Sequence, residues 1–585
     1  MNLEKVSEEY ITQIFNVPPK KLTKLNIKVL VLDDITTPIL SINCSQTKLL
    51  DNDIYLVENL KALSNFSQLD NRDTMRQLRC IVYISTTDES VDYLCKELRN
   101  PKYGEYQIFF NNTVTKIQLE KIATNDHFEV VTSVINLYQD YIPLNQEFFY
   151  PSDKEKYRNV KSYLKQMIST KIAKPLALGV NRILREAHKN NVLSKKDSKD
   201  TCLLIVDRFS FDPVTPLLQP WTYQSMIKEY LGLDRYIVDM SRRDADILKD
   251  DEENKTKDPA IYKQQQQLML NPKEDSFFAK TMYKNYGDLN DAFQSYLADY
   301  KFKMKNKKTI NDLQDIKNFI LQYPEFNKLS KNITKHMAII SELDSDLKEL
   351  GIWTVSETEQ NVVTQIHNDA DFNEFLPDII KIFDDDKVDF HYKIKLLLIF
   401  GLSNYKYLPK LLHEIEIKMP TKAIDFVKNI SKQHQLQSSK LSASDKQKLQ
   451  SQAELSTDFL AGLAKQFNSG RNIDTGVPHD RNKDNIYMMH HPALEKLIYK
   501  VDILKGFQSV DFEDRSLDTA LVKDLSERYK KIIFYIVGGM TYEECRVVRE
   551  FNSDFTYNSK GKKVVLGGTT LLSTHDYMND LESTN

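Results

Sequence analysis

The sequence predicts an α/β architecture joined to a mainly helical region, and three observations carry that expectation. Short β-branched runs alternate with helical patterns through the first 140 or so residues. The same alternation returns near Thr201 and again near the C-terminus. Between about Arg243 and Val477 the strand signals fade and helical patterns dominate. A chain of 585 residues exceeds what one hydrophobic core usually supports, so two to four domains are expected.

The elements follow in order. MNLEKVSEEYITQIF reads as an amphipathic helix; acidic residues interrupt it, and it lacks the apolar core of a signal peptide. IKVLVLDD (Ile27 to Asp34) is a first strand and CIVYIS (Cys80 to Ser85) a second, the latter followed by helical ESVDYLCKELRN. YQIFFNN (Tyr106 to Asn112) is a third, followed by helical VTKIQLEKIA. Strands separated by helices argue for a parallel sheet covered on both faces. Leu119 and Ile122 share a face of that last helix, and Val130, Val134 and Leu137, at i, i+4 and i+7, share a face of a helix after it. Periodicity alone reads this stripe as domain core.

In the second block LGVNRILREAHKNN is helical and TCLLIVDR (Thr201 to Arg208) is a buried strand. KIIFYIVGGMTYEECRVVREF reads strand, glycine turn, helix, and KKVVLGGTTLL (Lys562 to Leu572) is a further strand with a glycine pair. These last segments are too short for a domain of their own, so they complete the sheet begun near Thr201. The expected division is 1–140, then a discontinuous 141–243 with 478–585, and a helical 244–477. Within the last, three helical stretches run from Ser276 to Leu350. Leu313, Ile316 and Ile320 recur at helical spacing, and Pro324 interrupts the pattern, since an interior proline removes a hydrogen bond and bends or breaks a helix. Lys301, Lys303, Lys305, Lys307 and Lys308 make a basic tip whose default reading is a solvated one. Ser431 to Gln452 is polar and reads as a connector or an exposed helix.

Composition narrows the function. Hydrophobic residues are 41% and charged residues 28%, with a net charge of -3, so no bulk charge points to nucleic acid or an anionic membrane. Cys44, Cys80, Cys95, Cys202 and Cys545 lie far apart without C-x-x-C spacing, which suits a reducing compartment. The longest apolar runs, such as IKLLLIFGL, are far short of the roughly 20 residues a bilayer crossing needs. No phosphate-binding loop, dinucleotide turn, H-E-x-x-H or nucleophile elbow is present. Asp207 and Arg208, at the end of a strand with Asp212 nearby, occupy a ligand-prone place in α/β folds, but with no nucleophile, base or metal set beside them they read as ion pairs fixing loops. His490 and His491 lack ligand partners at metal spacing and read as loop packing before Pro492. The glycine pairs Gly538-Gly539 and Gly567-Gly568, each following a strand, read as plain turns into helices. No metal or cofactor is expected.

One segment is more specific. LLIVDRFSFDPVTPLLQPWTYQSMIKEYLGL (Leu203 to Leu233), which holds Asp207, Arg208, Asp212 and Trp221, resembles the signature of the SM family, the Sec/Munc regulators of SNARE-mediated membrane fusion. QYPEFNKLSKNITKHMAIISEL, TVSETEQNV, IVGGMTYEECRVV and VVLGGTT resemble further family segments in order, so the likeness spans nearly the whole chain. NPKYGEYQIFFNN and the L-G-G-T-T strand favour the vacuolar protein sorting forty-five branch. NIYMMHHP departs from the family's N-V-Y-T-Q-H-x-P. The resemblance implies an arch of three domains, two with parallel five-stranded sheets flanked by helices and one mainly helical. It implies a partner, a syntaxin-like Qa-SNARE and the assembled SNARE bundle, held by a cytoplasmic monomer lying peripherally on late Golgi and endosomal membranes. It implies a pocket for the syntaxin N-terminal peptide at Leu119, Ile122, Val130, Val134, Leu137 and Tyr138. It also implies a SNARE-templating hairpin at about 289–324, with Leu313, Ile316 and Ile320 on its face and Pro324 as a hinge. The rivals are an enzyme acting on a nucleotide or sugar with two Rossmann-like domains, and a scaffold or tether subunit.

Overall fold

The structure, a computed structural model, describes residues 2–16, 18, 27–66, 73–152, 173–189, 201–240, 267–305, 313–439, 485–499, 530–554, 558 and 561–583. Its first sheet is built from β1 (Lys28–Leu32), β2 (Ile54–Asn59), β3 (Met75–Ile84), β4 (Tyr103–Phe110) and β5 (Val131–Asn136). All pairs are parallel, in the order β2-β1-β3-β4-β5. Along β1, Val29 and Val31 face one apolar cluster while Leu30 and Leu32 face another, the period-2 alternation of a strand buried on both sides. The expected helix carrying Val130, Val134 and Leu137 is instead the edge strand β5 with its flanks. VVTSVIN is rich in β-branched residues, and pairing with β4 satisfies the backbone groups on one side of it, so a spacing of 3 and 4 over so short a run was coincidental.

The second sheet starts with a hairpin of β6 (Tyr141–Pro143) and β7 (Phe148–Pro151), and continues with β8 (Thr201–Asp207). A small antiparallel sheet of β9 (Leu233–Asp234), β10 (Ile237–Asp239) and β11 (Gln267–Met269) follows. The chain returns to the second sheet with β12 (Lys531–Val537) and β13 (Lys563–Gly568), giving the order β6-β7-β13-β12-β8. Five strands are present, but the sheet is not wholly parallel: β6 runs antiparallel to β7, because the short link between them permits only a hairpin return. Gly567 and Gly568 lie inside β13 rather than after it. Phe534 and Ile536 of β12 point into one core and Val537 into another, so this sheet divides two apolar clusters.

The central region is helical. Tyr286–Lys305 and Leu313–Glu349 form two long helices, and Ile352–Thr364, Asp369–Asp384, Phe390–Ser403, Leu408–Ile415 and Thr421–Ser439 follow. The apolar run from Leu396 to Phe400 is fully buried in the helix Phe390–Ser403, at the centre of the second of these two cores. Among the described residues no helix is long and apolar enough to cross a membrane. All five cysteines are free, and Cys80, Cys95 and Cys545 are packed in cores as small apolar residues.

Candidate partner-binding surfaces

At the β5 edge of the first sheet, the helix Lys116–Asn125 begins at a capping box in which Thr115 and Gln118 satisfy each other's backbone N–H groups. The Gln118 amide also donates to Thr86 O at 3.0 Å and Asp88 Oδ1 at 2.9 Å, which anchors this helix to the turn after β3. Leu119, 39% exposed, and Ile117 lie on its open side, whereas Ile122 is buried. Val134 pairs with Ile108 in parallel register, so both side chains lie on one face of the sheet. Ile108 belongs to the cluster that holds Ile122 and Val130. Val134 is therefore on the same side as the helix, and it is 38% exposed.

Of the six expected pocket residues, Leu119, Val134 and Tyr138 are surface groups, while Ile122, Val130 and Leu137 are core. Ile122 and Val130 lie in the cluster on the helix side, and Leu137 belongs to the opposite cluster with Phe109. Sequence reasoning missed the exposed Ile117, Phe128 and Ile135 on this edge. Phe128 carries the Arg76 guanidinium 5.1 Å above its ring. The signal that would have found Ile135 is the β-branched content marking β5 as a strand, since an edge strand leaves apolar groups half covered.

The expected hairpin corresponds to the helices Tyr286–Lys305 and Leu313–Glu349. The second runs unbroken through Pro324, so the proline does not end it as the sequence pattern suggested. One missing N–H is a local loss that neighbouring turns can bridge when the rest of a long helix is in place. The side chains of Leu313, Ile316, Ile320 and Pro324 lie outside the described residues, as do Lys307 and Lys308. Lys301 and Phe302 at the end of the first helix are exposed. The base of the hairpin is well packed: Ile333, Ile339, Ile340, Leu343 and Leu347 enter the same core as Phe277, Phe278 and Phe293.

Behind these surfaces stands a buried polar frame. Arg208 is fully buried; its Nη2 is 2.5 Å from Glu544 Oε2, its Nε and Nη2 donate to Gly539 O, and its Nη1 donates to Asp212 O. Gly539 adopts φ 100, which lets the turn after β12 present that carbonyl. Asp207 accepts from Ala173 N at 3.0 Å. The Asp212 carboxylate accepts from Thr215 N, Thr215 Oγ1 and Ala493 N. Burial would raise its pKa, but the charges of His490 and Arg208 and the Thr215 hydrogen bonds outweigh it and hold the carboxyl below its ordinary range. His490 meets Thr215 Oγ1 at 2.9 Å and His491 meets Glu495 at 2.7 Å, both as loop packing.

Trp221 donates to Ser356 Oγ at 2.6 Å and packs against Trp353 and Tyr487. The buried pair Lys395–Glu359, 2.9 Å apart, is tied to Gln219 by two further hydrogen bonds. In the first sheet, just past β1, the Asp33 carboxylate accepts from Ile35 N, Thr36 N, Ser85 N and Ser90 Oγ, tying the turn after β1 to the turn after β3. Among the described residues no group of three or more His, Cys, Asp or Glu is placed to hold a metal.

Comparison with known proteins adds a consistent set of likenesses. The model described as the Sec1 family matches residues 28–580. The vacuolar protein sorting-associated protein 45 of Saccharomyces cerevisiae is 37% identical over 624 residues, covering 100% of both chains. The Homo sapiens protein of that name is 27% identical over 579 residues, covering 95% of this chain and 92% of its own. A solved structure of the SM protein Vps45 in complex with the Qa SNARE Tlg2 (1-310) superposes with a TM-score of 0.73 at 26% identity, over 100% of this chain and 98% of that one.

Proposed function

The chain belongs to the Sec1 family, and on that premise we propose that it binds a syntaxin-like Qa-SNARE and promotes SNARE assembly for vesicle fusion in late Golgi, endosomal and vacuolar traffic. The observation that carries this reading is the end-to-end likeness to an SM protein captured with its Qa SNARE. The protein acts by binding, without bond chemistry. Membership of the Sec1 family is what supports that reading. Membrane association comes through partners.

Two surfaces share the work. The Leu119, Val134 and Tyr138 edge takes an apolar anchor from the SNARE's N-terminal peptide, with Ile122 and Val130 supporting it from beneath. The hairpin, with Leu313, Ile316, Ile320 and Pro324, templates SNARE helices. A partner that fits both sites binds the second intramolecularly, which lowers the entropy cost of assembly. The division into 1–140, 141–243 with 478–585, and 244–477 assigns the first surface to the first domain and the second to the last.

The test is calorimetry with syntaxin-like cytosolic domains, with and without their N-terminal residues. Leu119→Arg should remove the peptide-dependent heat while leaving the unfolding free energy within about 0.5 kcal/mol of wild type, since the side chain is exposed. Unchanged peptide affinity would reject the edge as the docking site. Failure to bind any Qa-SNARE, or turnover of a small molecule, would reject the whole reading, and capture of a tethering complex in place of a SNARE would favour a scaffold.

A further inference from the structure

Two of the motifs noted in the sequence, W-T-Y-Q and T-K-H, converge at the foot of the long helix Leu313–Glu349. Tyr223 and His336 are 113 residues apart in the chain, yet Tyr223 Oη is 2.8 Å from His336 Nδ1. On the other side of the ring, His336 Nε2 is 2.9 Å from Asp275 Oδ2. Asp275 is also the N-cap of the helix Ser276–Thr281, where its Oδ1 accepts from Phe278 N at 3.0 Å. Lys335 pairs with the same carboxylate and donates to Met269 O at 2.8 Å. Phe277 and Phe278 wall the imidazole, which is fully buried.

The partners set the proton positions. Asp275 is an acceptor, so Nε2 carries hydrogen, and Nδ1 then accepts from the Tyr223 hydroxyl. Burial pushes the imidazole pKa down and the phenol pKa up, which agrees with a neutral ring and a donating hydroxyl. Around this point the helix touches its base through Ile333, Ile339, Ile340, Leu343 and Leu347. Apolar contact is non-directional and tolerates a small slide or roll of the helix. Hydrogen bonds on both edges of one buried ring do not, because a displaced ring would leave buried polar groups unpaired.

We propose that the chain Tyr223–His336–Asp275 is the registration point that fixes the axial and rotational seat of the hairpin, which makes His336 a positioning residue for SNARE engagement. The seat itself stands on geometry; its effect on SNAREs rests on the function proposed above.

Spin labels at Asp299→Cys on the hairpin and Lys410→Cys as reference, with Cys44 and Cys202 replaced by serine, read the seat directly in the full chain. His336→Leu should shift or broaden the label distance distribution and weaken Qa-SNARE affinity about ten-fold, the equivalent of about 1.4 kcal/mol, while N-terminal peptide affinity is unchanged. His336→Gln, which can both donate and accept, should recover most of the wild-type distribution. Should His336→Leu fail to fold, Tyr223→Phe removes one hydroxyl and should broaden the distribution by itself. An unchanged distribution in whichever of these variants folds would overturn the registration point. A shifted distribution with unchanged SNARE affinity would keep the seat and overturn the hairpin's role in SNARE binding.

Discussion

At Arg208 a guanidinium sits fully buried, and its polar contacts tie together three places in the chain, Asp212, Gly539 and Glu544. It joins the end of β8 to the Gly539 turn and to Glu544, the partner of the N-cap Thr541 in the capping box of the helix Tyr542–Ser553. Breaking such a pair from one side leaves the other charge buried and unpaired, which costs about 3–5 kcal/mol. Glu544→Leu should therefore lower the urea midpoint by that equivalent, and a shift under about 1 kcal/mol would show that the Gly539 and Asp212 carbonyls suffice for Arg208. The N-P-K-Y-G-E-Y segment has a similar explanation. Lys102 and Tyr103 both reach Glu58, and Tyr106 reaches Glu97. A Cβ on Gly104 would stand 2.0 Å from Arg76 O, so no side chain fits between the strands there. The residue types of this motif were plain in the sequence; the two glutamates that they serve were not.

At the scale of elements, Pro324 and β5 teach opposite lessons. Proline was a sound indicator of a missing hydrogen bond but a poor indicator of a helix end, because a helix of 37 residues anchored at its base tolerates one interior break in its ladder. Restoring the donor should stiffen the segment: Pro324→Ala removes an interior penalty of about 3 kcal/mol. Slower amide exchange around residues 320–326 and faster SNARE assembly in a liposome fusion assay are the expected outcomes. Exchange at the wild-type rate would argue that the helix gains nothing there. At β5 the error ran the other way, since positions 130, 134 and 137 satisfied a helical spacing over a run too short for periodicity to decide. Its β-branched composition was the better guide, and with it the exposed edge could have been placed from sequence.

Across the whole molecule, several histidines are buried where their charged form is disfavoured. Burial lowers the pKa of His336, His391 and His434, and for His391 the nearby Lys395 and His575 add to it. In the unfolded chain these rings take up protons near the ordinary value of about 6.5. The unfolded state then binds more protons than the folded one, so their contribution is complete above that pH and is lost as pH falls through it towards the lowered folded values. Urea midpoints should drop between about pH 7.5 and 6, each excess proton adding a slope of up to about 1.4 kcal/mol per pH unit. A midpoint that stays level or rises over that interval would show that these rings do not remain neutral in the fold.

Periodicity, β-branched content and a few ordered motifs were sufficient, from the sequence alone, for the α/β plus helical class, the return of the C-terminal strands to the sheet begun near Thr201, and the family. Those signals are local or shared along one chain, and they survive without knowledge of neighbours. The antiparallel β6, the edge position of β5, the exposure of Leu119, Val134 and Tyr138 within a stripe that periodicity reads as core, and the meeting of Tyr223 with His336 required the tertiary structure. Each depends on which distant segment lies alongside. A residue's spacing along its own helix or strand carries no record of the partner across the core.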